Sequence, residues 1–296
     1  MTDVLRIAPE VQQALHEGGP VVALETTLVA HGFPPGVGVE VGCAAEAAVT
    51  AEGAMAATVG VLDGQVVVGL DAHELERFGE AGADARKAGP RDLAACVASG
   101  ELGATTVGGT LAAARLAGIR FMGTGGIGGV HRGFAERLDV SADLAQLART
   151  PALVVSSGIK SLLDVPATAE LLETLGVPVL GYRTAELPLF YSAGGGPPVS
   201  ARVDDAGQAA RTAEAHWELG GAALLLARDP DDGVEVEPLI EEALAAAATH
   251  GIHGQAVTPF VLSFLHEHSD GRTLEVNREL IVANARLAAQ VAVAAT

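Results

Sequence analysis

The stretch ALVVSSGIKSLLD, residues 152 to 164, contains the pattern that decides the fold. Residues 152–157 form a mostly apolar run of the length of a buried strand, and the small residues Ser156 to Gly158 indicate a turn at its end. Residues 161–175 then show the apolar spacing of a helix, and Gly176 stands where glycine commonly closes one. A buried strand followed at once by a helix is the unit of a parallel α/β sheet.

The same unit recurs outward from this stretch in both directions. Five further apolar runs predict strands: VVALE (21–25), TTVGG (105–109), IRFMG (119–123), VPVLGY (177–182) and AALLLA (222–227). Helical patterns, most of them rich in alanine, alternate with them at 40–52, 91–99, 109–117, 141–149, 204–218, 237–249 and 273–294. This alternation predicts an α/β fold with helices on both faces of the sheet.

One segment departs from the alternation. In ATVGVLDGQVVVGL, residues 57–70, Asp63 and Gly64 separate two apolar runs, which predicts a hairpin with a two-residue primed turn. The sheet is therefore expected to be mixed, largely parallel and flanked by helices in α/β/α layers. We expect a single domain over residues 1–296, with the AGGGPP segment (193–198) as a mobile loop.

Composition restricts the classes of function. The chain has 296 residues, 49% of them hydrophobic, and a net charge of −19, which argues against nucleic-acid binding. A small anionic ligand would need a local cluster of donors. The N-terminal residues lack an apolar signal region and no later stretch has the length of a membrane span, so we expect a cytoplasmic protein without membrane association. The two cysteines lack CxxC spacing and predict neither a disulfide nor a cysteine metal site.

Lysine is rare in this chain, since only Lys87 and Lys160 are lysines among 18 basic residues. Arginine stays protonated in proteins, whereas a lysine in a poorly solvated pocket can lose its proton and form a Schiff base. Lys160 follows a buried strand, at the edge where open α/β sheets bind ligands, and this position favours a nucleophile over compositional chance. Lys87 is either an anion-binding charge or part of a solvated basic loop.

Glu25 ends the first buried strand. Its carboxylate is satisfied by a helix N-terminus, or it is a general acid or base with a pKa set by a pocket. An amine nucleophile needs a proton-transfer partner, which favours the second interpretation.

The segment GTGGIGGVHRG, residues 123–133, satisfies G-x-G-x-x-G, but its loop continues where a dinucleotide site needs a helix. The favoured interpretation is a glycine-rich loop that approaches a phosphate or sugar, with His131 and Arg132 as positive charges. The alternative interpretation, a tight glycine turn with a solvated Arg132, also fits this segment. In LDVSADL, Ser141 is explained as an N-cap and Asp143 by the helix dipole, whereas Asp139 is a candidate ligand for Mg²⁺ or Mn²⁺.

Ten segments together resemble the signatures of the pseudouridine-5′-phosphate glycosidase family, which includes indigoidine-cluster proteins. The similarity runs from about residue 5 to residue 290. In chain order the segments are ALETTLVAHGFP, ATVGVLDG, KAGPRDL, GATTVGGT, TGGIGGVHRG, DVSADL, SGIKSLLD, GYRTAELPLFY, TPF and NRELIVANARLA. The SSGI before Lys160 differs from the family's commoner cysteine- and alanine-containing version. With no sugar-kinase-like extension in the sequence, we expect the single-function form.

The resemblance implies an α/β fold, a homotrimer, a divalent cation with Mn²⁺ favoured, and reversible cleavage of pseudouridine 5′-phosphate to uracil and ribose 5-phosphate. By position it implies Lys160 as nucleophile, Glu25 as proton donor and Asp139 as the metal-associated carboxylate. It also implies a set of substrate-contacting positions, namely Lys87, Thr106, Val107, His131, Ser141, Ala142, Asp143 and Asn284.

The substrate explains why an amine is needed. Pseudouridine joins base to sugar through carbon, so protonation of a glycosidic heteroatom does not release the base. Our hypothesis is that Glu25 assists opening of the ribose ring, Lys160 captures C1′, and the C–C bond breaks before water hydrolyses the imine. Two rivals stay open: a Schiff-base aldolase or lyase on another sugar phosphate, and a non-catalytic sensor of phosphorylated nucleosides.

Overall fold

The protein, described here by a computed structural model over residues 4–252 and 256–296, is built around an 11-stranded sheet with helices on its faces. A second sheet has two strands. The strands are β1 (Leu5–Ile7), β2 (Val21–Glu25), β3 (Met55–Leu62), β4 (Gln65–Val68), β5 (Arg86–Ala88), β6 (Gly103–Thr105), β7 (Phe121–Gly123), β8 (Leu153–Ser156), β9 (Val179–Tyr182), β10 (Glu186–Pro188), β11 (Gly195–Pro198), β12 (Ala201–Val203) and β13 (Leu224–Arg228).

The α-helices lie mostly between consecutive strands, as the βα pattern requires. They are α1 (Pro9–His16), α2 (Thr27–His31), α3 (Val37–Ala51), α4 (Ala72–Ala81), α5 (Leu93–Ser99), α6 (Val107–Ala117), α7 (Phe134–Arg137), α8 (Ala142–Leu147), α9 (Val165–Thr174), α10 (Ala206–Glu218), α11 (Glu237–Thr249), α12 (Val257–His268) and α13 (Arg272–Ala294). Within the described residues, none of them is long and apolar enough to cross a membrane.

The main sheet confirms the predicted architecture. Its main path runs β1-β4-β3-β2-β7-β8-β13-β9-β12, and every neighbouring pair on that path is parallel except β3 with β4. Helix α13 packs against α3 and α10 and against β2, β7 and β8, while α6 packs against β2 and against α8. All five residues of β2 are buried, as expected for a strand covered on both faces.

The predicted hairpin is present between β3 and β4. Asp63 and Gly64 both have positive φ, at 52° and 77°, which is the backbone of a primed two-residue turn. The antiparallel pairing of β3 with β4 makes the sheet mixed, in agreement with the prediction.

The end of β2 creates the position for a site. Strand β3 continues beyond it: Glu25 pairs with Val59, and the next residue, Gly60, pairs with Ala104 of the antiparallel strand β6. The Thr26 hydroxyl donates to the Val59 carbonyl at 2.8 Å and accepts from the Thr105 backbone N–H at 2.9 Å. The ends of β2 and β6 are therefore bonded together, and the residues that follow them diverge around a cleft.

Several local predictions were wrong. The run at 105–109 is the end of β6 followed by the start of α6, because Thr106 is an N-cap whose side chain accepts from the Gly109 N–H. The segment 193–198, predicted as a mobile loop, contains β11, which pairs antiparallel with β10. Apolar spacing also did not reveal the helices α1, α2, α4 and α12.

Candidate functional site

Two adjoining cavities lie at the carboxyl edge of the sheet and share Thr27, Lys87 and Lys160. The inner cavity has a volume of about 50 Å³ and the outer cavity about 410 Å³. The inner cavity is also lined by Glu25, Leu28, His31, Gly32, Thr124, Gly125, Gly126, Phe190, Pro259, Leu262, Asn277 and Ile281. The outer cavity is also lined by Gly89, Arg91, Asp92, Thr106, Gly128, His131, Leu138, Asp139, Val140, Ser141, Ala142, Asp143 and Leu163.

Glu25 is a buried carboxyl group in the wall of the inner cavity. Its Oε1 accepts a hydrogen bond from the Thr124 hydroxyl, and its Oε2 has no partner among the residues that the structure describes. Burial raises the pKa of Glu25, opposed by the nearby charge of Lys160 and by the Thr124 hydrogen bond. The carboxyl group therefore holds a proton more tightly than usual, at the wall of the inner cavity.

Lys160 is held where two loops pair with each other. Its backbone N–H donates to the Ile127 carbonyl at 3.2 Å, and the Ile127 N–H donates to the Gly158 carbonyl at 3.2 Å. Gly158 has a φ of +79°, and a Cβ there would lie 2.2 Å from the Pro188 carbonyl oxygen, so glycine is required. The turn after β8 thus places Lys160 in the walls of both cavities.

Lys87 approaches the same space from β5. Burial lowers the pKa of Lys87 to about 8, and the charge of Lys160 acts in the same direction, against Asp143 and Glu25. The two lysines are therefore close enough to influence each other, although one lies in β5 and the other follows β8, on opposite sides of β2 in the sheet. An amine with a pKa near neutrality can act as a charge or as a base, depending on pH.

Asp143 holds the glycine-rich loop against α6. Its carboxylate accepts from the Gly108 N–H at 2.7 Å and from the Gly128 N–H at 2.9 Å. A Cβ on Gly128 would lie 2.3 Å from the Ser141 hydroxyl oxygen, which explains the glycine there. Asp143 lines the outer cavity, but both of its oxygens already bind backbone donors.

Two helix N-termini contribute to the outer cavity. Ser141 caps α8, with its hydroxyl accepting from the Asp143 N–H at 3.2 Å, which confirms its expected role as an N-cap. Ala142 follows it, and Thr106 caps α6 from the other side. Val107 is fully buried and is not part of either cavity wall, so any contact it makes with a ligand would be through its backbone.

His131 and Asp139 lie together at the rim of the outer cavity. The His131 Nδ1 is 4.0 Å from the Asp139 Oδ2, and burial lowers the pKa of His131 although Asp139 opposes the shift. Among the described residues, no three His, Cys, Asp or Glu side chains are grouped closely enough to hold a metal ion alone. Mg²⁺ and Mn²⁺ commonly use one or two carboxylates together with water and a substrate phosphate, and the donor set around Asp139 fits that mode.

Two predicted residues point elsewhere. Asn284 is fully buried on α13 and donates to the Thr124 and Gly125 carbonyls at 2.8 and 3.3 Å, so it supports the loop behind the inner cavity. Arg132 forms an ion pair with Glu237 at 2.6 Å and donates to the Ser161 carbonyl. The expectation that Arg132 supplies positive charge to the glycine loop was therefore wrong; Lys87 and Arg91 line the outer cavity instead.

Sequence reasoning missed several residues of the inner cavity. Thr27 and His31 come two and six residues after Glu25, so their position just beyond the end of β2 could have identified them. The His31 Nε2 lies 2.9 Å from the Ala85 carbonyl oxygen. Phe190 follows β10 of the two-stranded sheet and Asn277 lies on α13; both stand in segments that resemble the family, but nothing in those segments singles out either residue as part of the site.

The fold and this site define a class of protein. It is a layered α/β protein with two lysines and a buried carboxyl group at the carboxyl edge of a largely parallel sheet. The chain belongs to the indigoidine synthase A-like family, because the model of the family described as "Indigoidine synthase A like protein" matches residues 10–294.

Curated relatives and solved structures match the whole chain. A protein of Herpetosiphon aurantiacus named pseudouridine-5′-phosphate glycosidase is 49% identical, over 98% of this chain and 97% of its own. A protein of Paracoccus denitrificans with the same name is 45% identical over 99% of both chains. The prealnumycin C-glycosynthase AlnA, solved with ribulose 5-phosphate, has a TM-score of 0.90 and 42% identity over 100% of this chain and 98% of its own. An indigoidine synthase A-like protein from Thermotoga maritima has a TM-score of 0.88 and 36% identity over 98% and 96%.

Proposed function

We propose that this protein reversibly cleaves the carbon–carbon glycosidic bond of pseudouridine 5′-phosphate to uracil and ribose 5-phosphate. The full-length similarity to relatives named for this activity supports the reaction. The structural neighbour AlnA is named a C-glycosynthase and was solved with a pentose phosphate, which supports both the bond type and the class of ligand.

The observation that carries the proposal is the position of Lys160 between the two cavities, beside the buried carboxyl group of Glu25. The outer cavity has the size and the cationic groups for a sugar phosphate, and the inner cavity has room for a small ring. A substrate that spans both cavities places its sugar–base bond near Lys160.

The first step opens the ribose ring. The neutral Lys160 amine attacks C1′, the C1′–N bond forms, and the electron pair of the C1′–O4′ bond passes to O4′. Glu25 donates its proton to O4′, in agreement with the raised pKa of this residue. The new secondary ammonium group then returns a proton to the Glu25 carboxylate.

The second step releases the base. Glu25 passes the proton to C5 of the pyrimidine, the nitrogen lone pair forms an iminium bond to C1′, and the C1′–C5 electron pair restores the C5–C6 double bond of uracil. Water adds to the iminium carbon, and the C–N bond breaks to give open-chain ribose 5-phosphate and neutral Lys160. The sum is pseudouridine 5′-phosphate plus water giving uracil plus ribose 5-phosphate.

The outer cavity binds the phosphate in this proposal. Lys87 and Arg91 supply positive charge, and Ser141 is available for a hydrogen bond. Asp139, with His131 beside it, would hold a divalent cation, Mn²⁺ or a similar ion. When bound, the cation would offset the charge of the phosphate. The homotrimer and the cytoplasmic location stay predictions, to be tested by light scattering of the purified protein and by cell fractionation.

The test is uracil release from pseudouridine 5′-phosphate with Mn²⁺, by wild type and Lys160→Ala, with borohydride added to reduce any imine. Mass spectrometry of tryptic peptides then locates the adduct. We expect uracil from the wild type, none from the variant, and a ribose phosphate adduct on Lys160.

Other outcomes select the rivals. An adduct with a different sugar phosphate, without uracil release, would show a Schiff-base lyase of another specificity. Saturable binding of the nucleotide that survives Lys160→Ala, without product at any time, would show a sensor instead of an enzyme.

A further inference from the structure

A single arginine side chain joins the glycine-rich loop to the turn that follows Lys160. Arg132 comes directly after His131, which lines the outer cavity, but Arg132 itself does not line that cavity. Its Nη2 donates to the Ser161 carbonyl at 2.9 Å, and its Nε donates to the Leu163 carbonyl at 3.4 Å. The guanidinium therefore bonds to the backbone just after the reactive lysine.

The turn after Lys160 leaves these two carbonyl groups without a backbone partner. The Leu163 N–H donates to the Lys160 carbonyl at 3.0 Å, which closes a turn over residues 160–163. Among the described residues, no backbone N–H donates to the carbonyl of Ser161 or of Leu163. Both residues are buried, at 8% and 2% exposed, and a buried carbonyl without a donor costs free energy. Arg132 supplies a donor to each of them.

Glu237, the first residue of α11, fixes the direction of the guanidinium. Its Oε1 accepts from the Arg132 Nη1 at 2.6 Å and its Oε2 accepts from Nη2 at 3.1 Å, which is the bidentate geometry of an arginine and a carboxylate. The carboxylate binds one edge of the planar group, which leaves Nε and the second hydrogen of Nη2 for the two carbonyls. Only arginine has donors in such a rigid fork, so these three acceptor groups define one orientation of its side chain.

The same glycine-rich loop holds the turn at two further points. The Lys160 N–H donates to the Ile127 carbonyl at 3.2 Å. The Asp164 N–H donates to the Val130 carbonyl at 2.9 Å. These bonds fix the two ends of the turn, and Arg132 fixes carbonyls between and beside them. Because Lys160 is the first residue of the turn, a change in the turn changes the direction of its side chain, and a displacement of about 1 Å can lower a reaction rate about a hundredfold.

An ordinary surface ion pair is the alternative explanation for these contacts. The Arg132 side chain is 32% exposed and that of Glu237 is 50% exposed, and pairs with such exposure add little to stability. Such a pair would not involve the turn, and its loss would leave the chemistry at Lys160 unchanged. The bonds from Arg132 to two buried carbonyl groups favour a role in placing the turn.

We propose that Arg132 is a positioning residue for the nucleophile: it bonds the turn that follows Lys160, and Glu237 holds it in place. This inference rests on the proposed function, in which the Lys160 amine attacks C1′. It adds two residues that line neither cavity and therefore do not bind the substrate themselves. The rate of attack should depend on this pair, and the affinity for the sugar phosphate should not.

The test measures imine formation from ribose 5-phosphate in Arg132→Met, Arg132→Lys and Glu237→Gln. Borohydride is added at set times, and mass spectrometry measures the adduct on Lys160. We expect the rate constant at saturating sugar phosphate to fall about tenfold to a hundredfold in Arg132→Met. Arg132→Lys should fall nearly as far, because an ammonium group cannot replace the fork. Glu237→Gln should lose about twofold to fivefold, since the donors remain and only the charge pair is lost.

The concentration of ribose 5-phosphate that gives half the maximal rate separates positioning from binding. It should stay within about twofold of the wild type in all three variants, because the substrate contacts are intact. A rise in this concentration with an unchanged rate constant would overturn the proposal, because that pattern describes an arginine that binds the phosphate. An unchanged rate constant in Arg132→Met would also overturn it. Glu237→Gln keeps the arginine and provides the test if Arg132→Met does not fold.

The matched control is Arg183→Met. The Arg183 Nε also donates to a backbone carbonyl, that of Asp204 at 3.0 Å, and the residue lines neither cavity. This variant should form the adduct at the rate of the wild type. An equal loss of rate in Arg183→Met and Arg132→Met would overturn the proposal, because it would show a general effect of removing such a contact.

Backbone hydrogen exchange separates this inference from the proposed function. If the wild type neither releases uracil nor forms an adduct, the proposed function fails. In that case, exchange is compared by mass spectrometry of peptides that span residues 158–166. Faster exchange of the Leu163 and Asp164 amides in Arg132→Met, with unchanged exchange in Arg183→Met, would still support the role of Arg132 in holding the turn. Unchanged exchange in Arg132→Met would overturn it.

Discussion

The inner and outer cavities share two lysines but differ in how their other polar groups are bonded. In the outer cavity, Asp143 and Ser141 already accept backbone hydrogen bonds. In the inner cavity, the Glu25 Oε2 has no partner within the described residues. The outer cavity is thus a rigid frame suited to hold a phosphate, and the inner cavity keeps a carboxyl oxygen available for the atoms that react.

This difference has a consequence for catalysis. Interactions that are equal in ground and transition states lower KM, and only those that strengthen in the transition state raise kcat. Changes in the outer cavity should therefore act mainly on the KM for the sugar phosphate. Changes at Glu25 and Lys160 should act mainly on kcat.

The largest effect is expected from Lys160→Arg, which keeps the charge and removes the nucleophile. Because a guanidinium cannot act as a neutral amine, we expect kcat to fall at least about a thousandfold and the borohydride adduct to disappear. Steady-state uracil release and peptide mass spectrometry measure both. Substantial turnover by this variant would rule out the Schiff-base step.

Glu25→Gln should separate activity from stability. We expect kcat to fall about a hundredfold to ten-thousandfold, as for loss of a general acid. Because burial raises the pKa of Glu25, its contribution to stability is present below the ordinary value of 4.5 and is lost as pH rises through the folded value. Glutamine does not ionise, so the variant should have the larger free energy of unfolding at alkaline pH, measured by urea unfolding across pH.

Glu46→Gln is the matched control for that variant. Glu46, on α3, is also largely buried, burial raises its pKa, and its side chain accepts a hydrogen bond from Thr58 away from both cavities. It should show the same sign of pH-dependent stabilisation with unchanged kcat. Loss of activity in Glu46→Gln would show that burial of the carboxyl group, and not its place in the cavity, explains the Glu25 result.

The sequence predicted the frame of the site better than its interior. Val, Leu and Ile runs identified β2, β8 and β13, because strands covered on both faces must be apolar throughout. Glu25 and Lys160 were found because they stand at the ends of such runs. The ends of such runs indicate where a site lies, because the topology of a parallel sheet brings the carboxyl ends of its strands to one edge.

What the sequence missed depends on contacts between remote segments. Phe190 and Asn277 come from a turn beside the two-stranded sheet and from α13, and only the packing of these elements brings them together. Arg132 was misassigned for the same reason, because its partner Glu237 is 105 residues away in the sequence. No local pattern contains such information.

Asp143→Asn tests the rigid frame of the outer cavity. An asparagine offers one oxygen where the carboxylate has two, so one of the N–H groups of Gly108 and Gly128 loses its acceptor. We expect the free energy of unfolding to fall by about 1–3 kcal/mol and the KM for ribose 5-phosphate to rise, with a smaller change in kcat.

Asp164→Asn is the control for the Asp143 substitution. Asp164 caps α9 by accepting from the Ala167 N–H at 3.0 Å, and asparagine is an equally good N-cap. Its urea unfolding curve should match that of the wild type. Equal destabilisation of both variants would contradict a special role for the two-oxygen contact of Asp143.

A smaller effect is expected from pH, acting through Lys87. Its pKa of about 8 means that the charge is present below that pH and is lost above it. The KM for ribose 5-phosphate should therefore rise above about pH 8 in the wild type and stay flat in Lys87→Arg, because arginine keeps its charge. Ribose without phosphate is the control substrate, and its KM should not follow this profile.

The smallest effect is expected at the mouth of the outer cavity, from Arg91→Met. The Arg91 side chain is 79% exposed and its Nε is 3.9 Å from the Asp92 Oδ2, so water and salt screen its charge. In a chain of net charge −19, a cation at the mouth still favours entry of an anionic sugar phosphate. We expect about a twofold to threefold rise in the KM for ribose 5-phosphate, an unchanged kcat, and loss of the difference at high salt.

Arg77→Met is the matched control, because Arg77 is an exposed arginine paired with Asp63 at the hairpin turn and lines neither cavity. It makes the same change in net charge and should leave the KM unchanged at every salt concentration. If both variants raise the KM equally, the overall charge of the protein controls entry and Arg91 has no local role. If Arg91→Met alone lowers kcat, Arg91 touches the reacting part of the substrate. That result would contradict the assignment of KM effects to the outer cavity and kcat effects to Glu25 and Lys160.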